Sequence, residues 1–365
     1  MLYRSSSTAF MQKTMSFCFA TVTSTGYVDQ TAGLWLNLQA MHPGSPLVVC
    51  CLDDHAWNAF SPHIDDSLIL VRASTVWGEA NWVNLCARMT RPERAFATKA
   101  ALAVWALEQG HEGVMVLDSD LLFEEPIPDL ITDCLESQVL LVAARHNLRH
   151  WRKSNTFGLF SAGIVGFAAA GLRAARIWKA QAFDECRALP VDGLYNEQKY
   201  LDYLVGSFDV SIVRDIGINV SPSTLKLVNP RQNAQGRWEA DDGTPIRVFH
   251  YSRSADSNLP FARSKVDLNR RGLEKLKAGL PVASMAERMA VKAPPFSLAR
   301  IVRFMRLGAA WDALPVLLAR LSRAMFTLHR VLTLPDLTLP ERWDQAFRRK
   351  HALHLKLEDE AFPPK

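Results

Sequence analysis

One short stretch near the middle of the chain constrains the fold more than any other. Val114 to Leu117 form an unbroken apolar run, which is typical of a strand buried on both faces of a sheet. The run ends at two acids, Asp118 and Asp120. Because open α/β sheets bind ligands at the carboxyl ends of central strands, we expect a site here. In an extended chain both carboxylates point to one side, where they can hold Mg²⁺ or Mn²⁺ beside a diphosphate. A structural acidic turn is the alternative.

The amino-terminal part of the chain predicts a βαβ unit. Its strand, helix and second strand are expected at residues 15–23, 27–41 and 46–52. Such a unit implies a parallel sheet with a right-handed crossover. Nucleotides bind at the strand ends of such units, so Thr21, Thr23 and Asp53 are candidates to hold a base and a ribose. Asp53 fits the cap of the following helix equally well.

Later segments continue this α/β pattern. Further strands are expected at residues 67–73, 139–144, 164–167, 210–213 and 246–253. A helix over 94–109 precedes the acidic motif, and Gly110 is placed to end it. In that helix we expect Lys99 to be a solvated lysine rather than a phosphate ligand. Ser161 and Gly163 are small residues that let a ligand approach the backbone.

Composition and charge exclude several classes of function. The net charge of +5 over 365 residues is too small to indicate nucleic-acid binding. The basic and aromatic stretch over 145–153 is short, and we expect it to be a mobile loop that contacts phosphate or acceptor. Six cysteines without metal-ligand spacing are typical of reduced core residues in a cytosolic protein. The first residues lack the apolar segment of a secretory signal.

Two later segments add polar candidates. Glu197 and Gln198 fall in the first turn of a helix expected over 196–202, where the helix dipole alone already favours an acid. The strand over 246–253 ends at His250 and Arg253. A lone histidine is more often a hydrogen-bonded core residue than a ligand, so the role of His250 depends on its neighbours.

Four motifs, taken in chain order, resemble those of one enzyme group. They are the Asp-x-Asp motif at 118–120, the small residues at 161–163, the segment 197–202 and the strand end at His250. Together they resemble the GT-A-type glycosyltransferases that use nucleotide-diphosphate sugars, in particular the family-eight-like retaining group and its bacterial relatives. The resemblance spans residues 15–265. It implies a GT-A, Rossmann-like fold with a mixed, mostly parallel sheet flanked by helices.

The resemblance also implies an activity and a set of ligands. The chain would move a sugar from a nucleotide-diphosphate donor, foremost a UDP-sugar, to a glycan or glycolipid acceptor with retention, as in polysaccharide biosynthesis. Asp118, Asp120 and His250 would hold Mn²⁺ or Mg²⁺ against the diphosphate. Arg253, next to Ser252, stands where the family has a glycine and a lysine for that diphosphate.

Further roles follow from the same resemblance. Gln198 would lie near the reactive carbon of the sugar, and Glu197 would bind sugar hydroxyls or accept the proton of the acceptor. Glu197 stands for an aspartate of the family, and Asp202 for an asparagine. Ser161 and Gly163 would border the donor and acceptor pocket.

The chain divides into three expected parts. They are a flexible leader over 1–14, a GT-A catalytic domain over 15–283 and a helical region over 284–365. A basic amphipathic helical pair over 296–334 fits an anionic membrane surface, which would bring a cytoplasmic transferase to the inner face of the cytoplasmic membrane. Packing on the catalytic domain or on a second subunit, as in a homodimer, is the other alternative.

The acidic motif has three rival interpretations. A haloacid-dehalogenase-like phosphatase has Thr or Val two residues after the second acid, whereas this chain has Leu122 there. A nucleotidyltransferase lacks support because no glycine-rich basic motif occurs near residue 25. A catalytically degenerate GT-A domain, acting as a nucleotide- or glycan-binding partner protein, stays open.

Overall fold

The structure is a computed structural model that describes residues 17–146, 153–188, 194–251 and 262–278. The expected leader over 1–14 and the expected helical region over 284–365, with its amphipathic pair, lie outside the described residues. So do Ser252 and Arg253.

A seven-stranded sheet forms the centre of the fold. Its strands are β1 (Cys18–Thr23), β2 (Leu47–Cys51), β3 (Leu68–Arg72), β4 (Gly113–Leu117), β6 (Val139–Ala143), β7 (Phe160–Ala168) and β8 (Val210–Val213). The spatial order is β3-β2-β1-β4-β7-β6-β8. Only β7 runs antiparallel to its neighbours in this sheet. The prediction of an α/β fold with a mostly parallel sheet is therefore confirmed.

Helices cover the sheet. They are α1 (Val28–Met41), α2 (Asp54–Phe60), α3 (Ala73–Trp77), α4 (Glu79–Arg88), α5 (Arg91–Glu108), α6 (Pro128–Glu136), α7 (Lys153–Phe157), α8 (Leu172–Asp184), α9 (Leu225–Val228) and α10 (Ala262–Ala278). One apolar cluster, built largely from α5 and α8, covers one face of the sheet, and a second, built from α1, α2 and α6, covers the other. Burial on both faces explains why the strands are continuous apolar runs. No described helix combines the length and apolar character that crossing a bilayer requires.

The helix that leads to the acidic motif has clear end signals. Thr90 and Glu93 form a reciprocal capping box at the start of α5, one turn earlier than predicted. Gly110 has φ +95° just after the helix, as the sequence predicts for a glycine that ends a helix. These signals fix where the chain turns back into β4.

Two short strands form a ribbon beside the main sheet. β5 (Leu121–Phe123) pairs antiparallel with β11 (Val248–His250), and the register places His250 opposite Leu121. The strand expected over 246–253 is therefore only three residues long in the described part, and it does not join the main sheet. A second ribbon pairs β9 (Arg231–Gln232) antiparallel with β10 (Trp238–Glu239).

Candidate active site

A cavity of about 560 Å³ opens at the carboxyl ends of β1 and β4. The strand order reverses between these two strands, which is where open α/β sheets place their ligands. Its walls include Thr23, Tyr27, Asp118, Asp120, Asn196 and His250. The topology thus brings polar side chains from four separate chain segments to one place.

The acidic motif forms a turn and not an extended segment. The amide of Asp118 donates to the carbonyl of Gly163 at 2.9 Å, and the amide of Leu121 donates back to the carbonyl of Asp118 at 3.3 Å. The expectation that strand alternation aligns the two carboxylates is therefore wrong. Instead the turn leads straight into β5, and the pairing of β5 with β11 carries His250 to the acids.

Asp118, Asp120 and His250 form one compact cluster. The Nε2 atom of His250 lies 3.2 Å from Oδ1 of Asp120 and 3.5 Å from Oδ2 of Asp118. One potential ligand atom from each residue lies within 4.8 Å of the other two. Burial raises the pKa of Asp120, but the interactions with His250 and Lys265 lower it more, so the pKa lies below its ordinary value. Burial lowers the pKa of His250, yet the two acids outweigh it and the pKa is raised.

A residue behind the imidazole orients it. Nδ1 of His250 lies 2.8 Å from Oδ1 of Asn219, and an amide oxygen only accepts hydrogen bonds. Nδ1 therefore carries the proton, and in the neutral ring Nε2 presents its lone pair to the acids. This is the arrangement that metal-binding histidines use. Asn219 adopts the left-handed conformation, with φ 62°, to reach this position.

The cluster fits a divalent cation by its chemistry and by its space. Two carboxylates and one imidazole are ligands that Mn²⁺ accepts, and the carboxylates also suit Mg²⁺. Gly163 makes room for the ring, since a Cβ atom there would lie 2.8 Å from Nδ1 of His250. The small residue predicted to admit a ligand therefore admits the histidine.

Lys99 is buried and not solvated, so that expectation is wrong. Its ammonium lies 2.8 Å from Oδ1 of Asp118 and 2.5 Å from Oε1 of Glu197, and it donates to the carbonyl of Ala162 at 3.1 Å. Burial would lower the pKa of Lys99, but the two acids raise it above its ordinary value. Lys99 follows Phe96 by three residues and shares the buried face of α5, which was the available sequence signal.

Glu197 and Gln198 lie in the cavity wall but make protein contacts. Glu197 is 1% exposed, and its Oε2 has no hydrogen-bond partner among the residues that the structure describes. Burial raises its pKa, and Lys99 opposes this rise. The Gln198 amide accepts from the Ala162 amide at 3.1 Å and donates to the carbonyl of Phe157 at 2.7 Å. The expected α-helix is a 3-10 helix, Gln198–Tyr203, with Glu197 at its N-cap.

The other predicted ligands take different places. The Thr21 hydroxyl donates to the carbonyl of Leu117 at 2.8 Å and ties β1 to β4 away from the cavity wall. Thr23 lines the cavity, and its hydroxyl accepts from Thr31 at 2.8 Å. The Ser161 hydroxyl accepts from the amide of Gly163 at 3.2 Å.

Asp53 acts as the helix cap that was its alternative role. It accepts from the amides of Ala56 at 2.9 Å and Thr25 at 3.0 Å and pairs with Arg91. These hydrogen bonds and Arg91 together lower its pKa, although burial opposes them. Arg91, at the start of α5, is itself part of the cavity wall.

Lys265 was missed by the sequence analysis. It is 3% exposed on α10 and donates to the carbonyls of Ser119 at 3.1 Å and Leu121 at 2.7 Å. Burial lowers its pKa to about 8. Its spacing from Leu268, three residues later on an amphipathic helix, was the only signal of burial.

The basic stretch over 145–153 is partly tied to the protein. Arg145 donates to the carbonyls of Ile218 and Asp215, and Nε2 of His146 lies 3.1 Å from the carbonyl of Gly158. Residues 147–152 lie outside the described part of the chain, and the mobile loop expected over 145–153 stays a prediction there.

No family model matches the chain. An uncharacterised protein of Bacillus subtilis strain 168, YfnF, is 25% identical over 254 residues, which is 65% of this chain and 82% of that protein. The galactosyltransferase LgtC, solved with donor and acceptor sugar analogues, aligns at 15% identity over 70% of this chain and 96% of its own, with a TM-score of 0.45. Mouse xyloside xylosyltransferase 1 aligns at 12% identity over 67% of this chain and 100% of its own, with a TM-score of 0.44. Likenesses at these scores leave the reaction to be inferred from the residues of the site.

Proposed function

We propose that this chain is a metal-dependent glycosyltransferase that moves a sugar from a nucleotide-diphosphate donor to a glycan or glycolipid acceptor. One observation carries the proposal. Asp118, Asp120 and His250 present converging ligand atoms in the wall of a cavity at the point where the strand order reverses. A divalent cation held at such a place can neutralise the charge of a leaving nucleotide diphosphate.

The three clustered residues would hold Mn²⁺ or Mg²⁺. When bound, the cation neutralises the charge that develops on the leaving diphosphate. Asn219 keeps the imidazole of His250 turned toward the acids. Lys99 contributes a positive charge that is fixed between Asp118 and Glu197. The chain thus supplies both the ligands and a permanent cation at the site.

The order of elements along the sheet edge supports a position in the cavity for each part of the donor. Leu52, Thr23 and Tyr27 follow β2 and β1 on one side of the acids, and their apolar and aromatic surfaces suit a base and a ribose. UDP is the foremost candidate through the resemblance stated above. On the other side of the acids, next to β7, lie Glu197 and Gln198, where the sugar and its acceptor would meet.

The assignment of the sugar to this side gives two residues distinct tasks. Gln198 bonds Ala162 and Phe157 and would hold the wall beside the reactive carbon. One oxygen of Glu197 has no partner in the described ranges of the chain, and that oxygen suits a sugar hydroxyl. We propose retention of the anomeric configuration from the family resemblance.

A catalytically inactive nucleotide- or glycan-binding protein is the second candidate. The observation that favours it is that the Gln198 amide and one Glu197 oxygen are already engaged by protein groups. Such a protein would bind the nucleotide with metal and release no product.

The acceptor and the place of action remain part of the proposal. We propose a cytoplasmic enzyme, and the basic segment over 296–334 would bring it to a lipid-linked acceptor at the inner face of the membrane or to a second subunit. If this segment binds a second subunit, the enzyme is a homodimer.

Turnover separates the two candidate functions. The full chain would be incubated with Mn²⁺ and UDP-glucose, UDP-galactose, UDP-N-acetylglucosamine or GDP-mannose, and nucleotide release would be measured with and without a mixture of bacterial glycan acceptors. The transferase predicts metal-dependent release from one donor that His250→Ala abolishes. Nucleotide binding without release from any donor would favour the binding protein.

A further inference from the structure

Asn196 is an unusual residue in the wall of the cavity. It is 8% exposed, and its Oδ1 atom has no hydrogen-bond partner among the described residues. A buried acceptor without a hydrogen-bond partner lowers the stability of the fold, so such groups are rare. A bound ligand can supply the missing donor.

The backbone of Asn196 carries a second cost. Its φ is 49°, in the left-handed region that residues other than glycine seldom adopt. Its backbone amide donates to the carbonyl of Arg187 at 2.9 Å. This hydrogen bond helps to hold the left-handed conformation of a residue that lines the cavity.

Glu197, the residue after Asn196, also carries a buried oxygen acceptor. Oε2 of Glu197 is buried and has no partner in the described part of the chain, while Oε1 is held by Lys99 at 2.5 Å. Two successive residues that line the cavity thus carry buried oxygen acceptors without a described partner. Phosphate oxygens are acceptors themselves and gain nothing from such a wall, whereas hydroxyl groups can donate to it.

The position along the sheet edge decides which part of a ligand meets this wall. The acids that would hold the metal follow β4, and the groups suited to a base follow β1 and β2. The segment from Asn196 to Gln198 lies on the other side, where the Gln198 side chain accepts from the amide of Ala162 in β7. A diphosphate held at the acids would therefore have its base on one side and its sugar near Asn196.

We infer that Asn196 is a specificity-determining residue that accepts a hydrogen bond from a hydroxyl group of the transferred sugar. The inference rests on the proposed function and adds to it a contact that discriminates the sugar from the nucleotide. The terminal torsion of an asparagine side chain is soft, so a small rotation brings Oδ1 to an incoming hydroxyl.

The test compares a nucleotide with its sugar conjugate. Binding of UDP, UDP-glucose and UDP-galactose is measured by calorimetry with Mn²⁺ on the full chain and on Asn196→Gly, which removes the acceptor and suits the left-handed backbone. We expect the Kd for UDP to stay within about twofold and the Kd for the preferred UDP-sugar to rise about tenfold, the size of one net hydrogen bond. The melting temperature of the variant should not fall.

Two further variants make the result specific. Asn229→Gly relieves the same left-handed conformation at an exposed residue outside the cavity wall and should change neither Kd. Asn196→Asp keeps an oxygen acceptor, and its added charge acts on UDP and UDP-sugar alike, so the ratio of the two Kd values should stay near that of the wild type.

Each outcome has a definite meaning. An equal loss of UDP and UDP-sugar binding in Asn196→Gly, no loss at all, or the same loss of ratio in Asn196→Asp would overturn the role of Asn196. If the wild type binds UDP with Mn²⁺ but prefers neither sugar conjugate, the inference fails and the metal site stands. If the wild type binds neither UDP nor its sugar conjugates with Mn²⁺, the proposed UDP-sugar function fails and this inference with it.

Discussion

The imidazole of His250 is held between Asn219 on one side and Asp120 on the other. The Nδ1 atom lies 2.8 Å from Oδ1 of Asn219, and Nε2 lies 3.2 Å from Oδ1 of Asp120. Asn219 therefore selects the tautomer that leaves Nε2 free for a cation. A residue 31 positions before the histidine thus orients its ring.

Loss of this support should weaken metal binding. Asn219→Gly removes the amide and, at φ 62°, introduces no backbone strain. We expect the Kd for Mn²⁺ to rise 10- to 100-fold, as for other residues that orient a metal-binding histidine. Calorimetric titration with Mn²⁺ measures it, with Asn229→Gly as the matched control. An unchanged Kd would mean that Asn219 does not orient the ligand.

A methyl group at Gly163 should have a similar effect through space. A Cβ atom at that position would lie 2.8 Å from the His250 ring, so Gly163→Ala must displace the imidazole. We expect Mn²⁺ binding to fall at least tenfold with little change in overall fold by circular dichroism. Gly26→Ala is the control, because Gly26 also lines the cavity but has open space around its Cα. Equal affinities in the two variants would contradict the placement of His250.

The buried charges around Lys99 predict a large effect on stability. Lys99→Met leaves Glu197, at 1% exposure, without its cation. Breaking a buried pair in this way costs about 3–5 kcal/mol. Burial already raises the pKa of Glu197, so its protonation should recover part of the lost stability as the pH falls from 7 toward 5.

Urea unfolding measures this effect. The double variant Lys99→Met, Glu197→Gln should be more stable than Lys99→Met alone at pH 7. Arg176→Ala is the control, because it breaks an exposed pair with Glu108 and should change stability by about 0.5 kcal/mol or less. A loss after Lys99→Met as small as that of the control would show that the pair is not buried in solution.

Lys265 should give the protein a distinct pH dependence. Burial lowers its pKa from 10.5 to about 8, so between these values the unfolded chain binds more protons than the folded one. Stability therefore rises with pH across this window, by about 3 kcal/mol at most from this residue. Below pH 8 both states are protonated and the contribution is flat.

The comparison with Lys265→Met isolates that contribution. The variant is expected to unfold more easily overall, since the carbonyls of Ser119 and Leu121 lose their donor. Its free energy of unfolding should, however, rise less between pH 8 and 10.5 than that of the wild type. Parallel curves for the two proteins would contradict the buried ammonium.

The sequence predicted the layers of the fold better than its short elements. Strands such as β2 and β4 are continuous apolar runs, and burial on both faces makes such runs easy to recognise. The three-residue pairing of β5 with β11 has no periodicity of its own. The sequence therefore indicates His250 as a candidate ligand but does not predict the ribbon that positions it.

Residues of the site that depend on tertiary context were harder to predict. Asp118, Asp120 and His250 could be chosen from their motif contexts. Lys99 was placed in solvent because a lone lysine on a helix usually is there, whereas its partners come from distant segments. Asn219 gave no signal, because its role exists only once β11 brings His250 beside it.

Binding of a nucleotide diphosphate with and without metal tests the central claim most directly. Calorimetry with UDP, GDP, CMP and ADP would be run with and without Mn²⁺ on the wild type and on Asp120→Asn, with Asp129→Asn as a control at an acid outside the cavity wall. The account predicts that one nucleotide, foremost UDP, binds only with Mn²⁺, and that Asp120→Asn abolishes this binding while the control retains it. Failure of all four nucleotides to bind under either condition would show that Asp118, Asp120 and His250 form a structural turn and not a donor site.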